Sequence, residues 1–316
     1  MKTIEEAAAF LRHNDRYMIL THRRPDGDAV GSAAALCRIL RAAGKTAELF
    51  PNPQFLDRYL PLTEGMIGNG DPEGKTVIAV DTATEKMFPY NASRLCGKVA
   101  LSLDHHGSHT AYAAEELTVP EAAACGELMP GLAKALGVRL DAAIATAVYV
   151  AVSTDTGCFR YSNTTAETFR VAAACREAGA DCELWNRKLF LEKSRSRLKL
   201  EAYLTETARF YREGTVCICT LPQRIITELG VTEEDLDEIS GFPRDFAGVE
   251  IGAFLRSVKD GAKISLRTYP PYDASAICER LGGGGHFAAA GATVDGTPED
   301  AETALLTALR GYGVEV

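Results

Sequence analysis

The chain is organised around one segment, Leu20-Thr-His-Arg-Arg-Pro-Asp-Gly-Asp-Ala-Val-Gly-Ser32. This segment begins at the end of an apolar run that predicts a buried strand, and it leads into a small-residue helix. At the carboxyl end of a strand in an α/β sheet, such a loop faces the crevice where ligands bind. His22, Asp26 and Asp28 would crowd there, with Gly27 giving the backbone freedom to turn. This arrangement predicts a bound cation; the alternative is a helix N-cap Asp, an ordinary turn and a solvated His.

The rest of the chain predicts two domains. Its 316 residues are enough for two hydrophobic cores. Strand-length apolar runs first alternate with helical patterns, which predicts an α/β fold with a doubly wound, mainly parallel sheet. A charged, glycine-poor helical connector and a smaller α/β domain follow. The predicted boundaries are residues 1–190, 191–212 and 213–316.

Hydrophobic periodicity predicts the individual elements. In the first domain the predicted strands are residues 17–21, 46–50, 76–81 and 98–104, and the predicted helices are residues 4–13, 29–43, 120–136, 141–154 and 165–178. In the second domain the predicted strands are residues 216–221, 249–257 and 263–268, and the predicted helices are residues 232–239, 273–280 and 297–309.

Composition limits the function classes. The net charge of −9 argues against a broad face for duplex DNA, but it allows a small phosphorylated substrate in a local basic pocket. No apolar run approaches the ~20 residues that a membrane span needs. The amino-terminal segment lacks the apolar centre of a signal peptide. Nine cysteines without a Cys-x-x-Cys pair favour a reduced cytoplasm.

Three later positions support the cation hypothesis. Asp81 ends one apolar strand, Asp104-His105-His106 ends the next, and Asp155 ends an apolar helical pattern. Parallel strands bring their carboxyl ends together, so these groups are expected to converge. Imidazole and carboxylate ligands without Cys favour Mn²⁺ or Mg²⁺ over structural Zn²⁺. Six candidate ligands suit two ions ~3.5–4 Å apart, which would activate a water and offset charge on a phosphoryl group.

This series of motifs resembles that of the DHH phosphoesterase superfamily. The resemblance implies two Mn²⁺ ions, with Mg²⁺ or Co²⁺ as substitutes. The implied ligands are His22 and Asp26 on one ion, Asp28, His105 and Asp155 on the other, and Asp81 as the bridge. The implied catalytic residues are Asp104, which orients an imidazole, and His106, which contacts a phosphate oxygen or protonates the leaving oxygen.

The carboxyl-terminal sequence Gly282-Gly-Gly-Gly-His286, with Ala289-Ala-Gly291, resembles the DHH-associated domain of RecJ-like members. Successive backbone N–H groups of the glycine run can face an anion, and a flexible turn is the alternative. Arg267 matches the family's basic residue on a neighbouring strand, and a surface strand residue is its alternative. The candidate substrate-binding residues are Arg267, Gly283, Gly284, Gly285, His286 and Arg160.

The segment after Asp155 also resembles the family. There Arg160 could meet a phosphate, and Phe159 or Tyr161 could stack on a base, although both aromatic residues could equally be core. His109 departs from the family, whose members commonly carry Asn at this position. The change leaves the implied metal ligands intact and leaves the local loop contacts open.

The short two-domain layout is most similar to the nanoRNase/pAp phosphatase branch. The leading hypothesis is therefore a Mn²⁺-dependent phosphoesterase in which two ions activate a water to hydrolyse short oligoribonucleotides and 3′-phosphoadenosine 5′-phosphate (pAp). One alternative is a phosphodiesterase for cyclic di-AMP or its linear product pApA. Another is a non-catalytic nucleotide-binding sensor, which the presence of all six candidate ligands disfavours. A homodimer is compatible with the sequence, but no pattern argues for it.

Overall fold

A computed structural model describes residues 3–236 and 239–316. The chain forms two compact units, of which the first ends at Glu192 and the second begins at Lys193. The helices of the first unit are α1 (Ile4–His13), α2 (Gly27–Ala42), α3 (Leu128–Ala135), α4 (Ala142–Asp155), α5 (Ala166–Glu177) and α6 (Cys182–Asn186). Its strands are β1 (Tyr17–Leu20), β2 (Ala47–Leu49), β3 (Thr76–Val80), β4 (Leu101–Asp104) and β5 (Glu115–Thr118).

The five strands of the first unit form one parallel sheet in the order β2-β1-β3-β4-β5. The strand order reverses at β1, because β2 lies on one side of it and β3 on the other. In an open α/β sheet, a ligand binds at such a switch point, beyond the carboxyl ends of the strands. The predicted α/β fold with a parallel sheet is confirmed.

Both faces of this sheet are buried, which explains its continuous apolar runs. In β1, Tyr17 and Ile19 join the cluster that contains the long helices. Met18 and Leu20 point to the opposite cluster. That second face is covered by short 3₁₀ segments between residues 85 and 95. Burial of each large apolar side chain contributes about 1.5–3 kcal/mol.

Helices α2 and α4 pack unusually closely, and glycine makes this possible. A Cβ atom on Gly31 would lie 2.5 Å from the carbonyl oxygen of Ala147 and 2.8 Å from the nitrogen of Ala151. A Cβ atom on Gly126 would likewise lie 2.5 Å from the Cβ of Ala151. Because α2 begins at the switch point and α4 ends in Asp155, this contact sets where Asp155 stands.

The second unit is built on a mixed six-stranded sheet in the order β10-β11-β9-β8-β7-β6, in which only β7 and β8 are parallel among the paired strands described. Its strands are β6 (Arg209–Tyr211), β7 (Val216–Leu221), β8 (Ile251–Val258), β9 (Gly261–Thr268), β10 (Gly284–His286) and β11 (Ala289–Val294). Its helices are α7 (Arg195–Thr207), α8 (Gln223–Leu229), α9 (Ala274–Glu279) and α10 (Pro298–Tyr312). One face packs against α9 and α10, and the other against α7 and α8.

Several segments differ from the sequence prediction. The helix predicted over residues 120–136 is a 3₁₀ turn, Cys125–Glu127, followed by α3. Helix α8 and strands β5, β6, β10 and β11 were not predicted. Strand β5 begins with two acidic residues and therefore lacks an apolar run. Of the helix predicted over residues 232–239, residues 237 and 238 lie outside the described residues, and the residues before them form turns.

The segment predicted as a connector, residues 191–212, lies mostly within the second unit. It contains α7, whose Leu200 and Leu204 are fully buried against β7 and β8. It also contains β6, which pairs with β7. Separately, no helix in the described part of the chain combines the length and apolar character that a membrane span requires.

Candidate active site

The loop between β1 and α2 brings its polar side chains to the switch point. His22 follows β1, and its Nε2 atom lies 3.9 Å from Oδ1 of Asp26 and 3.9 Å from Oδ2 of Asp81. Asp26 is also the N-cap of α2, because its Oδ1 accepts the backbone N–H of Ala29 at 3.0 Å. Asp26 is thus a helix N-cap, as one alternative predicted, and it lies beside His22 at the same time.

Asp81 follows β3 and is a buried carboxylate with an unusual backbone conformation. Its backbone is left-handed (φ 53°), and its N–H donates to the carbonyl of Leu103 at 2.9 Å. The residue is 2% exposed, and within the described residues its Oδ1 has no hydrogen-bond partner. Burial, together with the negative charge of Asp28 and Asp26, raises the pKa of Asp81 well above its usual range. A buried carboxylate oxygen without a donor is costly unless positive charge stands beside it.

Asp28 lies in the first turn of α2 and is held firmly. Its oxygens accept three hydrogen bonds, from the Ser32 hydroxyl at 2.8 Å, from the Cys125 N–H at 2.6 Å and from the Gly126 N–H at 3.0 Å. Burial nonetheless raises the pKa of Asp28, although His105 opposes the shift. No sequence motif indicates the two backbone donors, which lie in the 3₁₀ turn Cys125–Glu127.

His105 stands among three carboxylates. Its Nε2 lies 3.6 Å from Asp28, 3.5 Å from Asp81 and 3.6 Å from Asp155. Its Nδ1 lies 3.1 Å from the carbonyl oxygen of Ala122, which can only accept, so Nδ1 carries the proton. In the neutral ring, Nε2 then presents a lone pair, which is the form that binds a metal. Burial raises the pKa of Asp155 to about 8.

These side chains form overlapping groups of metal-ligand type. Within each group, the candidate ligand atoms lie within 4.8 Å of one another. The groups are His22, Asp26 and Asp81; Asp28, His105 and Asp155; and Asp81, His105 and His106. Imidazoles and carboxylates without a thiolate suit Mn²⁺ or Mg²⁺, and the buried Oδ1 of Asp81 has no hydrogen-bond partner among the described residues. The residues therefore fit divalent cations.

Asp104 ends β4 and belongs to none of these groups. Its Oδ1 accepts Nδ1–H of His106 at 2.7 Å and the backbone N–H of His105 at 2.8 Å, and its Oδ2 lies 2.5 Å from Nδ1 of His109. Burial opposes ionisation of Asp104, but the hydrogen bonds from His106 and His109 hold its pKa below the usual range. Burial also opposes protonation of His106, yet Asp104 raises the pKa of that imidazole.

In the second unit, three strands place candidate substrate residues on one face of the sheet. Arg267 on β9 is opposite Ala289 on β11, which is opposite His286 on β10. The Arg267 guanidinium donates to the Ser240 hydroxyl at 3.0 Å and to the carbonyl of Leu266 at 3.0 Å. Arg267 and His286 thus lie on the same face, and Ser240 is a neighbour that sequence reasoning missed.

The glycine run does not present successive N–H groups, so that expectation is wrong. The N–H groups of Gly282 and Gly283 bond to carbonyls at the end of α9, at 3.1 and 2.9 Å. Gly284 and Gly285 lie in β10, at the edge of the sheet, where only alternate N–H groups point outward. A Cβ atom on Gly285 would lie 2.6 Å from the carbonyl oxygen of Ala289, so this glycine allows the hairpin to close.

The turn after α4 separates the two aromatic candidates. Phe159 stacks on Phe169 at 5.6 Å and packs against the core, whereas Tyr161 is 54% exposed with its ring over Gly157. Arg160 is exposed, and its Nε donates to the carbonyl of Gly157 at 2.5 Å. Arg160 therefore lies at the surface of the same turn as Tyr161.

Comparison with known proteins identifies the family. The pattern of the DHH family, N-terminal domain, matches residues 16–152, and that of the DHHA1 domain matches residues 213–312. The chain is also 36% identical over 289 residues to the bifunctional oligoribonuclease and PAP phosphatase NrnA of Thermus thermophilus, covering 89% of this chain and 85% of that protein. This chain belongs to the DHH family.

Other DHH relatives extend the comparison. The bifunctional oligoribonuclease and PAP phosphatase NrnA of Bacillus subtilis is 25% identical over 288 residues, which are 89% of this chain and 90% of that protein. The crystal structure of an exopolyphosphatase-related protein from Bacteroides fragilis has a TM-score of 0.89 at 24% identity, covering 98% of this chain and 96% of that one. The latter shows the same fold. The resemblance drawn from the motifs is confirmed.

Proposed function

We propose that this DHH protein is a metal-dependent phosphoesterase that hydrolyses short oligoribonucleotides and pAp. The observation that carries the proposal is the set of overlapping ligand groups at the switch point of the sheet, in which two groups contain Asp81 and the third is joined to them through His105. The names of the Thermus thermophilus and Bacillus subtilis relatives support the substrate class. Hydrolysis of a phosphoester is the chemistry that such a cluster of carboxylates and imidazoles suits.

We assign two cations to the cluster, one held by His22 and Asp26 and the other by Asp28, His105 and Asp155, with Asp81 shared. Mn²⁺ is the proposed ion, with Mg²⁺ or Co²⁺ as substitutes, because the donors are oxygen and imidazole nitrogen. When bound, divalent cations supply Lewis-acid stabilisation of phosphoryl charge and lower the pKa of a nucleophilic water. The 3.5 Å separation of the His105 ring from Asp81 supports a shared ligand.

His106 is the proposed donor to the substrate. Its Nδ1–H is committed to Asp104 at 2.7 Å, which leaves Nε2 as the nitrogen that meets the substrate. A protonated Nε2 donates to a phosphate oxygen or to the leaving oxygen as the bond between phosphorus and that oxygen breaks. Asp104 holds the ring in place and stabilises its cationic form, as the orienting carboxylate does in other catalytic His–Asp pairs.

The second unit is the proposed binding surface for substrate phosphate. Arg267 offers a planar set of donors that matches a phosphate group, and His286 lies on the same face of the sheet. The face is bordered there by the backbone of Gly283, Gly284 and Gly285, which does not present successive N–H groups to the phosphate. Arg160 is proposed as a further phosphate contact in the first unit. A cytoplasmic location, the exclusion of duplex DNA and a homodimer stay predictions.

The test is hydrolysis by the purified full-length chain with Mn²⁺. The substrates are pAp, pApA, cyclic di-AMP, RNA of about two to five nucleotides, and pyrophosphate. Release of AMP from pAp and of mononucleotides from pApA and short RNA would support the proposal. Preferred cleavage of cyclic di-AMP would replace it with a second-messenger phosphodiesterase at the same site. Bound metal without hydrolysis of any substrate would favour the nucleotide-binding sensor.

A further inference from the structure

His109 lies in the loop after β4 and is almost completely enclosed. Its side chain is 7% exposed, and its Nδ1 lies 2.5 Å from Oδ2 of Asp104. An ionised carboxylate can only accept a hydrogen bond, so Nδ1 of His109 is the donor. The other ring nitrogen, Nε2, is buried, has no hydrogen-bond partner within residues 3–236 and 239–316, and lies 3.5 Å from Oε1 of Glu116.

The surroundings of His109 fix its ring. Glu116 is on β5, and its Oε1 accepts the backbone N–H groups of Tyr112 at 2.7 Å and Ala113 at 3.1 Å. The Tyr112 ring lies 5.4 Å from the His109 ring, and the Tyr112 hydroxyl donates to the carbonyl of Thr82 at 2.7 Å. A side chain held from both sides can aim its Nδ1–H at one place only.

That place is the oxygen of Asp104 that His106 does not use. Oδ1 of Asp104 accepts from His106, and Oδ2 accepts from His109. Oδ1 also accepts the backbone N–H groups of His105 at 2.8 Å and His106 at 3.3 Å, and the bond from His109 holds the second oxygen. A rotation of the carboxylate would break the hydrogen bonds to both imidazoles. Loss of the His109 donor would leave Oδ2 buried without that partner, and the carboxylate would then gain by turning toward other donors.

We propose that His109 is a positioning residue for phosphoester hydrolysis. Its Nδ1–H fixes the orientation of the Asp104 carboxylate. That carboxylate in turn holds Nδ1 of His106, which leaves Nε2 of His106 available to the substrate. The inference rests on the proposed function and adds a residue that belongs to none of the groups of metal-ligand type among the described residues. Orienting partners of this kind typically change activity about 10- to 100-fold when removed.

Two polar variants of similar size distinguish the effect of the His109 Nδ1–H donor from the effect of packing around the side chain. The amide nitrogen of Asn stands near the position of an imidazole Nδ1, whereas that of Gln stands near Nε2. His109→Asn should therefore keep the bond to Asp104 and retain kcat on pAp within about threefold, whereas His109→Gln should lower kcat about 10- to 100-fold with KM and Mn²⁺ affinity unchanged. His13→Gln makes the same substitution at an exposed histidine of α1, and its kcat should stay within about twofold of the wild type.

A second readout does not depend on turnover. Full-length protein with ¹⁵N-labelled histidine and Mg²⁺, which is diamagnetic, shows by long-range ¹⁵N–¹H spectra which ring nitrogen of His106 carries a proton. The expected signal is a stable Nδ1–H on His106 in the wild type and in His109→Asn, and a broadened or lost Nδ1–H in His109→Gln. Thermal unfolding of each variant checks that it is folded.

Three results would overturn the inference. They are wild-type kcat in His109→Gln, equal loss of kcat in both variants, and an unchanged His106 signal in His109→Gln. The first and third show that His109 does not position His106, and the second shows that packing rather than the donor matters. If the wild type hydrolyses none of the substrates, the proposed function fails, while the His106 spectra still decide whether His109 sets the geometry.

Discussion

Replacing Asp81 by Asn should make the metal-free protein more stable while removing most of its response to divalent cations. Asn has nearly the same shape as Asp and tolerates the left-handed backbone at φ 53°, so the change mainly removes a negative charge. Candidate ligand oxygens of Asp81 and Asp26 lie within 4.8 Å of each other. Two unit charges at that separation repel by about 3 kcal/mol at an effective dielectric constant of roughly 20. Because the Asp26 side chain is 58% exposed, solvent screening reduces the expected gain to about 1–2 kcal/mol.

Thermal unfolding in chelator and in Mn²⁺ measures both effects. For a domain of this size, about 1 kcal/mol moves the midpoint by roughly 2–4 °C, so the metal-free variant should melt about 2–8 °C above the wild type. Mn²⁺ at about 100 times its Kd should stabilise the wild type by about 2.7 kcal/mol. The variant lacks the shared ligand and should gain much less, and its hydrolytic activity should be lost.

The stability gained by metal-free Asp81→Asn should also depend on pH. The pKa of Asp81 is raised in the folded protein, so the folded state keeps a proton that the unfolded chain has released. The stability of the metal-free wild type therefore falls as pH rises above the usual aspartate range and through the raised pKa. Asp81→Asn lacks this titrating group, so the metal-free variant should exceed the wild type in stability by more at about pH 8 than at about pH 5.

Two outcomes would contradict the role assigned to Asp81. One is a metal-free Asp81→Asn protein that melts below the wild type at every pH, which would mean that Asp81 stabilises the fold without a cation. The other is a full Mn²⁺ response in the variant, which would mean that Asp81 is not a ligand. Asp57→Asn is the matched control, because Asp57 is exposed on a 3₁₀ helix and its change should alter neither melting curve.

Two further variants test the packing of the first unit and the binding face of the second. At an open helical site, Gly→Ala stabilises a helix by about 1 kcal/mol, but at position 31 the added Cβ would lie 2.5 Å from the carbonyl oxygen of Ala147. We therefore expect Gly31→Ala to lower the free energy of unfolding by about 1–3 kcal/mol, as measured by denaturant unfolding. It should also weaken metal binding, as measured by titration calorimetry. Arg267→Ala should raise KM for pAp roughly 10- to 100-fold with a smaller change in kcat, since hydrogen bonds to charged groups are worth about 1.5–3 kcal/mol. Unchanged stability in the first variant, or an unchanged KM in the second, would contradict these assignments.

The positions of the polar side chains at the sheet edge could be predicted from the sequence because each ends or follows an apolar run. His22 follows β1, Asp81 follows β3 and Asp104 ends β4, and parallel strands bring such ends together. Asp155 is different, because it ends a helix, and helix ends have no fixed place relative to a sheet edge. Close contacts of α4 with glycines, such as that at Gly31, explain its position, and a glycine in a small-residue helix does not by itself predict such a contact.

The supporting contacts could not be predicted, because they depend on segments without a pattern. Asp28 is held by the N–H groups of Cys125 and Gly126, in a stretch predicted to be helical. His109 faces Glu116 on β5, a strand that was not predicted from the sequence. The glycine run was recognised as a motif, but its pairing as an edge strand follows from contacts with residues that come later in the chain.

Asp81 and Asp104 differ in how well the surrounding protein compensates their negative charge. Both are buried aspartates at neighbouring strand ends of one sheet. Each oxygen of Asp104 accepts an imidazole N–H, and its pKa is held low despite burial. Asp81 has an oxygen without a donor among the described residues, a left-handed backbone and a pKa that burial and neighbouring carboxylates raise. The surrounding protein thus provides hydrogen-bond donors to both oxygens of Asp104 but not to Oδ1 of Asp81. We therefore expect a cation to stabilise Asp81, whereas at Asp104 it would compete with two imidazoles.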